Sequence, residues 1–207
     1  MRLGFVIWLA LGAGAATAQD ANSKLLERAA MGRAKGGATA TVMVYEIADF
    51  QCPFCARFVK DVFPRIDSAY IKTGKVQWFF VNLPLPAHGN AWATAEAALC
   101  AGAVADRFWP MHDRLFATQN EWASARDPGP IIERLAREAG AGGDAFRTCV
   151  AEDRVASLIL MDVIFAASSR INGTPAFIVN GEETFVGVKT YDEWVAILDA
   201  AIKKKAK

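Results

Sequence analysis

The chain reads as an α/β fold in which a block of helices separates the two halves of a small sheet. Three observations predict this. An alternating apolar run, Val42 to Ala48, precedes a helical pattern and then a second strand, Val76 to Val81, the strand–helix–strand order of a parallel pair. From Asn90 to about Arg170 the strand signal gives way to helical periodicity. The strand signal then returns at Ala176-Phe177-Ile178-Val179, with Asn180-Gly181 as a hairpin turn and Thr184-Phe185-Val186 as the return strand.

Taken in order, the first 18 residues read as an export leader. Arg2 supplies the positive start, Leu3 to Leu11 the apolar core, and Ala16-Thr17-Ala18 a small-residue cleavage site. That apolar run is shorter than the roughly 20 residues needed to cross a bilayer. An uncleaved anchor is the alternative. Cleavage near Ala18 would leave a periplasmic or secreted protein, in a compartment where disulfides persist. Residues 19–38 read as a short helix, Ser23 to Met31, followed by a loose connector at Gly32, Gly36 and Gly37.

After the first strand a helix begins at Pro53 and runs to about Lys72, with a kink expected near Pro64, which cannot donate to the helix ladder. Gly74 ends it. The helices of the middle block are expected to break at Gly102, at Asp127-Pro128-Gly129-Pro130 and at Gly140-Ala141-Gly142-Gly143. Asp144 and Asp153 are candidate N-caps for its last two helices. A final helix is expected from Tyr191 to Lys203, its basic end suiting the helix dipole. The organisation is a leader over 1–18, an N-terminal helix and connector over 19–38, a core over 39–85 and 171–207, and a helical insertion over 86–170.

Composition narrows the function. Apolar residues make up 53% of 207, enough for one core, and the net charge is +1. Loss of Arg2 with the leader leaves 22 basic and 22 acidic groups. Such a balance gives no reason to expect a nucleic acid or an anionic membrane as partner.

The chemistry lies at Cys52-Pro53-Phe54-Cys55, between the first strand and its helix. A C-x-x-C in that position is the setting of a thioredoxin-type redox centre. Cys52 falls at the N-cap and Pro53 at the first helical position, where its missing N–H costs nothing. The free N–H groups and positive helix end favour a thiolate on Cys52. Cys55, one turn later, is placed to close a small disulfide ring and to resolve mixed disulfides. Cys52 is expected to be the exposed member of the pair. A structural zinc is the alternative, but it would require a second ligand pair, whereas Cys100, Cys149, His88 and His112 are scattered. No metal and no cofactor are expected.

Glu46 is an acid in an otherwise apolar strand, six residues before Cys52. Its burial would be costly without a purpose. It is a candidate proton relay for Cys55; the alternative is a strand-end carboxylate reaching water. Asp49 reads as a loop residue, His112 as a packing residue beside Trp109 and Phe116, and His88 as a cap for the helix beginning at Asn90.

Four stretches together resemble the DsbA family of thiol:disulfide oxidoreductases, in its BdbD-like, thioredoxin-4-type branch. They are Asp49-Phe50-Gln51-Cys52-Pro53-Phe54-Cys55, the segment His88 to Cys100, Phe108 to Phe116, and Gly173-Thr174-Pro175-Ala176-Phe177-Ile178-Val179-Asn180-Gly181. The resemblance implies a thioredoxin fold with a helical insertion, and makes Thr174-Pro175 a cis-proline loop facing the cysteines. On sequence alone that loop is simply a turn before a strand. It places Glu46 beneath the active site and, as in some relatives, joins Cys100 to Cys149; two separate buried thiols are the alternative. Phe54 departs from the family's strongly oxidising members, which carry histidine there, so a milder oxidant is expected. His88 would compensate only if the fold brought it near.

The function so implied is an exported, monomeric or weakly associating dithiol oxidase, acting on reduced exported polypeptides through a Cys52–Cys55 disulfide. A membrane partner of the DsbB or vitamin K epoxide reductase type would restore that disulfide. The alternatives are an isomerase or reductase kept reduced by a membrane donor, a chaperone or binding protein, and metal handling through the dithiol.

Overall fold

The computed structural model describes residues 11–205, with side chains from Asp20 onward. Arg2 and all but the last residue of the expected leader's apolar run lie outside the described residues, as do Ala206 and Lys207. No helix among the described residues is long and apolar enough to cross a membrane.

The sheet has five strands in the order β1-β3-β2-β4-β5. At its centre β2 (Val42–Ala48) pairs in parallel with β3 (Val76–Asn82) and antiparallel with β4 (Ala176–Val179). The hairpin partner β5 (Glu183–Val186) forms one edge. Asn180 and Gly181 both have positive φ, 52° and 72°, the conformation that a tight Asn-Gly turn requires. The other edge is β1 (Ala34–Lys35), antiparallel to β3. This strand falls in the segment read as a loose connector, and two residues are too short to show any alternation.

Both faces of the sheet are covered. Val42, Val44 and Trp78 pack with Phe58, Ile66, Phe177, Trp194 and Leu198 under α2 (Pro53–Asp61), α3 (Phe63–Ile66) and α10 (Tyr191–Lys205). Ile47, Val81, Ala176 and Ile178 pack with Ala166 and Ile171 on the opposite face, beneath α9 (Ala156–Ser168). The remaining helices, α4 (Ala91–Ala105), α5 (Phe108–Ala117), α6 (Gln119–Trp122), α7 (Gly129–Glu138) and α8 (Asp144–Ala151), form a cap between β3 and β4.

Several local expectations need correction. The first helix, α1, spans Leu11–Gly32 rather than starting at Ser23; the alanine-rich stretch before Ser23 propagates a helix well. The break in the active-site helix comes at Val62, with φ −119°, two residues before Pro64. The proline ring would otherwise meet the carbonyl four residues back. A π-helical turn, Asp67–Ile71, then closes the segment.

Gly102 is no break. It lies inside α4, where a Cβ would stand 3.1 Å from the Phe108 Cβ and 3.8 Å from its backbone, so glycine serves close helix packing there. The helix stops instead at Asp106, in the left-handed region with φ 56°. Neither aspartate caps as expected. Asp144 is the first residue of α8, after Gly143. Asp153 sits in the turn before α9 with φ 49°.

Candidate functional site

Cys52 is the N-cap of α2, with extended backbone (φ −71°, ψ 123°) and Pro53 following. Its N–H donates to the Asp49 carbonyl at 3.0 Å, and its own carbonyl accepts from Ala56 N–H at 3.1 Å. Phe54 and Cys55 therefore occupy the second and third helical positions, whose N–H groups lack an intrahelical acceptor. Cys52 and Cys55 are both free thiols. The Thr174–Pro175 bond is cis, and the Cys52 thiol donates to the Thr174 carbonyl at 3.4 Å. Two segments 122 residues apart thus meet at one sulfur.

The expectation that Cys52 is exposed is wrong for this arrangement: it is 3% exposed and Cys55 is fully buried. The loop carrying Thr174 covers the nearer sulfur. Phe54 is the member of the tetrapeptide that reaches solvent, 54% exposed, with the Arg57 guanidinium 5.2 Å from its ring centroid.

The two thiols differ sharply in acidity. A hydrogen bond from Cys55 lowers the Cys52 thiol to about 5, aided by the N–H groups of Cys55 and Phe54, against the opposing effect of burial. Burial drives Cys55 well above the ordinary thiol value, and proximity to Cys52 adds to this, while the Asp49 backbone works in the other direction. Near neutral pH the pair therefore holds one thiolate, on Cys52, and one proton, on Cys55.

Glu46 is fully buried. Its Oε2 accepts from Trp78 Nε1 at 2.8 Å, and its Oε1 has no partner. Burial pushes its carboxyl up to about 8, despite the Trp78 hydrogen bond. In the sheet it stands between Phe80 and Phe177. Its surroundings are apolar, and no hydrogen bond joins it to either cysteine.

The floor of the site contains residues that sequence reading passed over. Gln119 Nε2 donates to the carbonyls of Phe50 and Cys52, at 2.7 and 3.1 Å, tying α6 to the active-site loop. Gln51 accepts from Asn90 N–H at 2.7 Å and donates to the Ala123 carbonyl at 2.8 Å. Gln119 carries no local sequence signal. Asp49 is a loop residue, but one only 2% exposed. His88 does not cap α4; its Nδ1 lies 2.7 Å from Asp49 Oδ2.

Cys100 and Cys149 are joined, linking α4 to α8 across 49 residues of chain. His112 is fully buried among Phe80, Trp109 and Phe116. A groove of about 730 Å³ runs beside α2, lined by Lys35, Arg57, Phe63 and Phe116 among others, but by neither active-site cysteine. Among the described residues no three potential metal-ligating side chains cluster.

This geometry agrees with comparisons to known proteins. The Thioredoxin_4 model, described as Thioredoxin, matches residues 28–200. The chain belongs to this family. Within it, the chain is a DsbA-like thiol:disulfide oxidoreductase. It is 26% identical over 170 residues to disulfide bond formation protein D of Bacillus subtilis, covering 80% of this chain and 75% of that one. The solved structure of oxidised BdbD from Bacillus subtilis superposes with a TM-score of 0.71 at 26% identity, covering 83% of this chain and 92% of the other. A further similarity, 38% identity over 148 residues, is to Na(+)/H(+) antiporter NhaA 3 of Salinispora tropica. That match takes in 71% of this chain but only 21% of the antiporter's length. The fold and catalytic class rest on the Thioredoxin_4 match together with the BdbD-type relatives.

Proposed function

We propose that this chain is an exported dithiol oxidase that introduces disulfides into reduced polypeptides through Cys52 and Cys55. The observation that carries this reading is the split between the two thiols, Cys52 near 5 and Cys55 far above it. A thiolate stabilised in the reduced protein makes the corresponding disulfide a better oxidant.

The oxidised enzyme begins with a Cys52–Cys55 bond. A substrate thiolate attacks Cys52, forming a mixed disulfide and expelling Cys55, which takes up a proton. A second substrate thiolate then attacks the substrate sulfur of that mixed bond and releases Cys52 as a thiolate. Two substrate thiols have become one disulfide, and the enzyme holds the two electrons. A quinone-linked membrane partner of the DsbB or vitamin K epoxide reductase type removes them and restores the bond. The Thr174 backbone beside Cys52 offers an extended substrate a strand to pair with. The leader read in residues 1–18 supports export, and the Cys100–Cys149 bridge suits an oxidising compartment.

Alkylation trapping of the protein in its native cells tests the direction. Cys52 and Cys55 should be oxidised at steady state, and Cys55→Ser should accumulate mixed disulfides through Cys52. A pair found reduced at steady state would instead make the protein an isomerase or reductase.

A further inference from the structure

Asp49 joins the end of β2 to the cysteine loop and touches both redox residues through its main chain. Its carbonyl accepts the Cys52 N–H at 3.0 Å, and its backbone works against the rise that burial imposes on the Cys55 thiol. Its carboxylate is wholly enclosed. Oδ1 accepts from Gln51 N–H at 2.7 Å, and Oδ2 from Leu85 N–H at 2.9 Å. Those bonds hold the loop in shape. A buried negative charge at this point, however, opposes formation of a thiolate nearby.

One side chain answers that charge. His88, in the segment between β3 and α4, places Nδ1 2.7 Å from Asp49 Oδ2 while its side chain stays 23% exposed. Since the carboxylate only accepts, Nδ1 carries the proton of this bond, and Nε2 is left to gain or lose one. Among titratable residues, His88 bonds the Asp49 carboxylate and Cys52, at the start of α2, bonds its main-chain carbonyl. Glu46, three residues back along β2, is bonded to Trp78 instead. From α6 and the start of α4 the loop meets the uncharged amides of Gln119 and Asn90, and from α5 the buried His112 ring stands 5.9 Å from that of Phe50.

We propose that His88 is a positioning residue for the exchange reaction: through Asp49 its imidazolium cancels the negative charge under the Cys52–Cys55 pair. The pair's redox equilibrium is thereby coupled to protonation of an imidazole that meets solvent. With phenylalanine in the dipeptide, no imidazole lies between the cysteines; the compensating charge comes from below, by way of a carboxylate.

This inference rests on the reading of Cys52–Cys55 as the exchanging pair, and the experiment separates the two. Equilibrium with glutathione is measured over a pH series for the unaltered protein and for His88→Gln, whose amide N–H keeps the bond to Asp49 without the charge. At the acid end, where the imidazole holds its second proton, the variant should be reduced about three- to tenfold less readily, the effect of a change of up to about one in the thiol pKa. The difference should vanish at the alkaline end, and Asp49→Asn combined with His88→Gln should bring the acid-end value back toward that of the unaltered protein.

Superimposable profiles, or an offset that is the same at every pH, would overturn the proposal, the latter showing a purely structural contact. If the unaltered protein fails to exchange with glutathione at all, the reading of the redox pair falls instead. A second measurement needs no variant. By reciprocal linkage the His88 ring must titrate at different midpoints in the oxidised and reduced protein, and identical midpoints by NMR would equally refute the coupling.

Discussion

Replacement of Glu46 by glutamine should reshape the pH dependence of stability. The carboxyl titrates near 4.5 when unfolded and near 8 in the folded protein. The folded state therefore binds more protons between those values, and stability must fall as pH rises through that window. The contribution is fully present below 4.5 and is lost as pH passes 8. Each pH unit between the two midpoints is worth about 1.36 kcal/mol, so the change between about pH 5 and about pH 8.5 is on the order of 4 kcal/mol. No solvent discount applies, because Glu46 is fully buried. Glutamine keeps an oxygen for Trp78 Nε1 but leaves its own amide N–H groups without acceptors, a cost of about 1–3 kcal/mol at every pH. The variant should be the less stable protein near pH 5 and the more stable one near pH 8.5. Urea denaturation of the oxidised protein at a series of pH values measures this, since the midpoint moves with stability when the slope is constant. Parallel curves for the two proteins would refute the reasoning, because they would mean that Glu46 does not carry the proton through this range.

Other perturbations probe the remaining parts of the site. Phe54→His should lower the Cys52 thiol below its value of about 5 and shift the glutathione equilibrium roughly tenfold toward the reduced protein, the effect of lowering the thiol pKa by about one. An unchanged equilibrium would mean that the dipeptide does not control this site. Replacing both Cys100 and Cys149 by alanine opens a loop of 49 residues, which costs about 4 kcal/mol in the chain-entropy model. At about 2–4 °C per kcal/mol the melting temperature should fall by roughly 8–16 °C, while glutathione exchange at Cys52–Cys55 persists. Peptide mapping of the non-reduced protein checks the bridge itself, and two free thiols there would remove the basis for the lower melting temperature.

What could be read from the sequence was whatever a local pattern encodes. Alternation marked β2, the strand–helix–strand order marked β3, the Asn180-Gly181 turn marked the hairpin, and proline after cysteine marked the start of α2. β1 escaped because two residues have no period, and Gly102 misled because a glycine that ends a helix and one that admits a neighbouring phenylalanine look alike in one dimension. The same limit applies to the site. Cys52 could be assigned to a helix end from its neighbours, but its covering by Thr174 arises from a segment 122 residues away. Asp49 and His88 were both in view, one as a loop residue and the other as a cap. Their significance depends on a contact across 39 residues of chain, and on Asp49 presenting its backbone to the cysteines and its carboxylate to the imidazole. A single charged side chain beside a redox pair has no fixed effect on it: unpaired it opposes the thiolate, and paired it is nearly silent. The size of its influence therefore lies in the pairing, and a partner that reaches solvent lets the surrounding pH set that size.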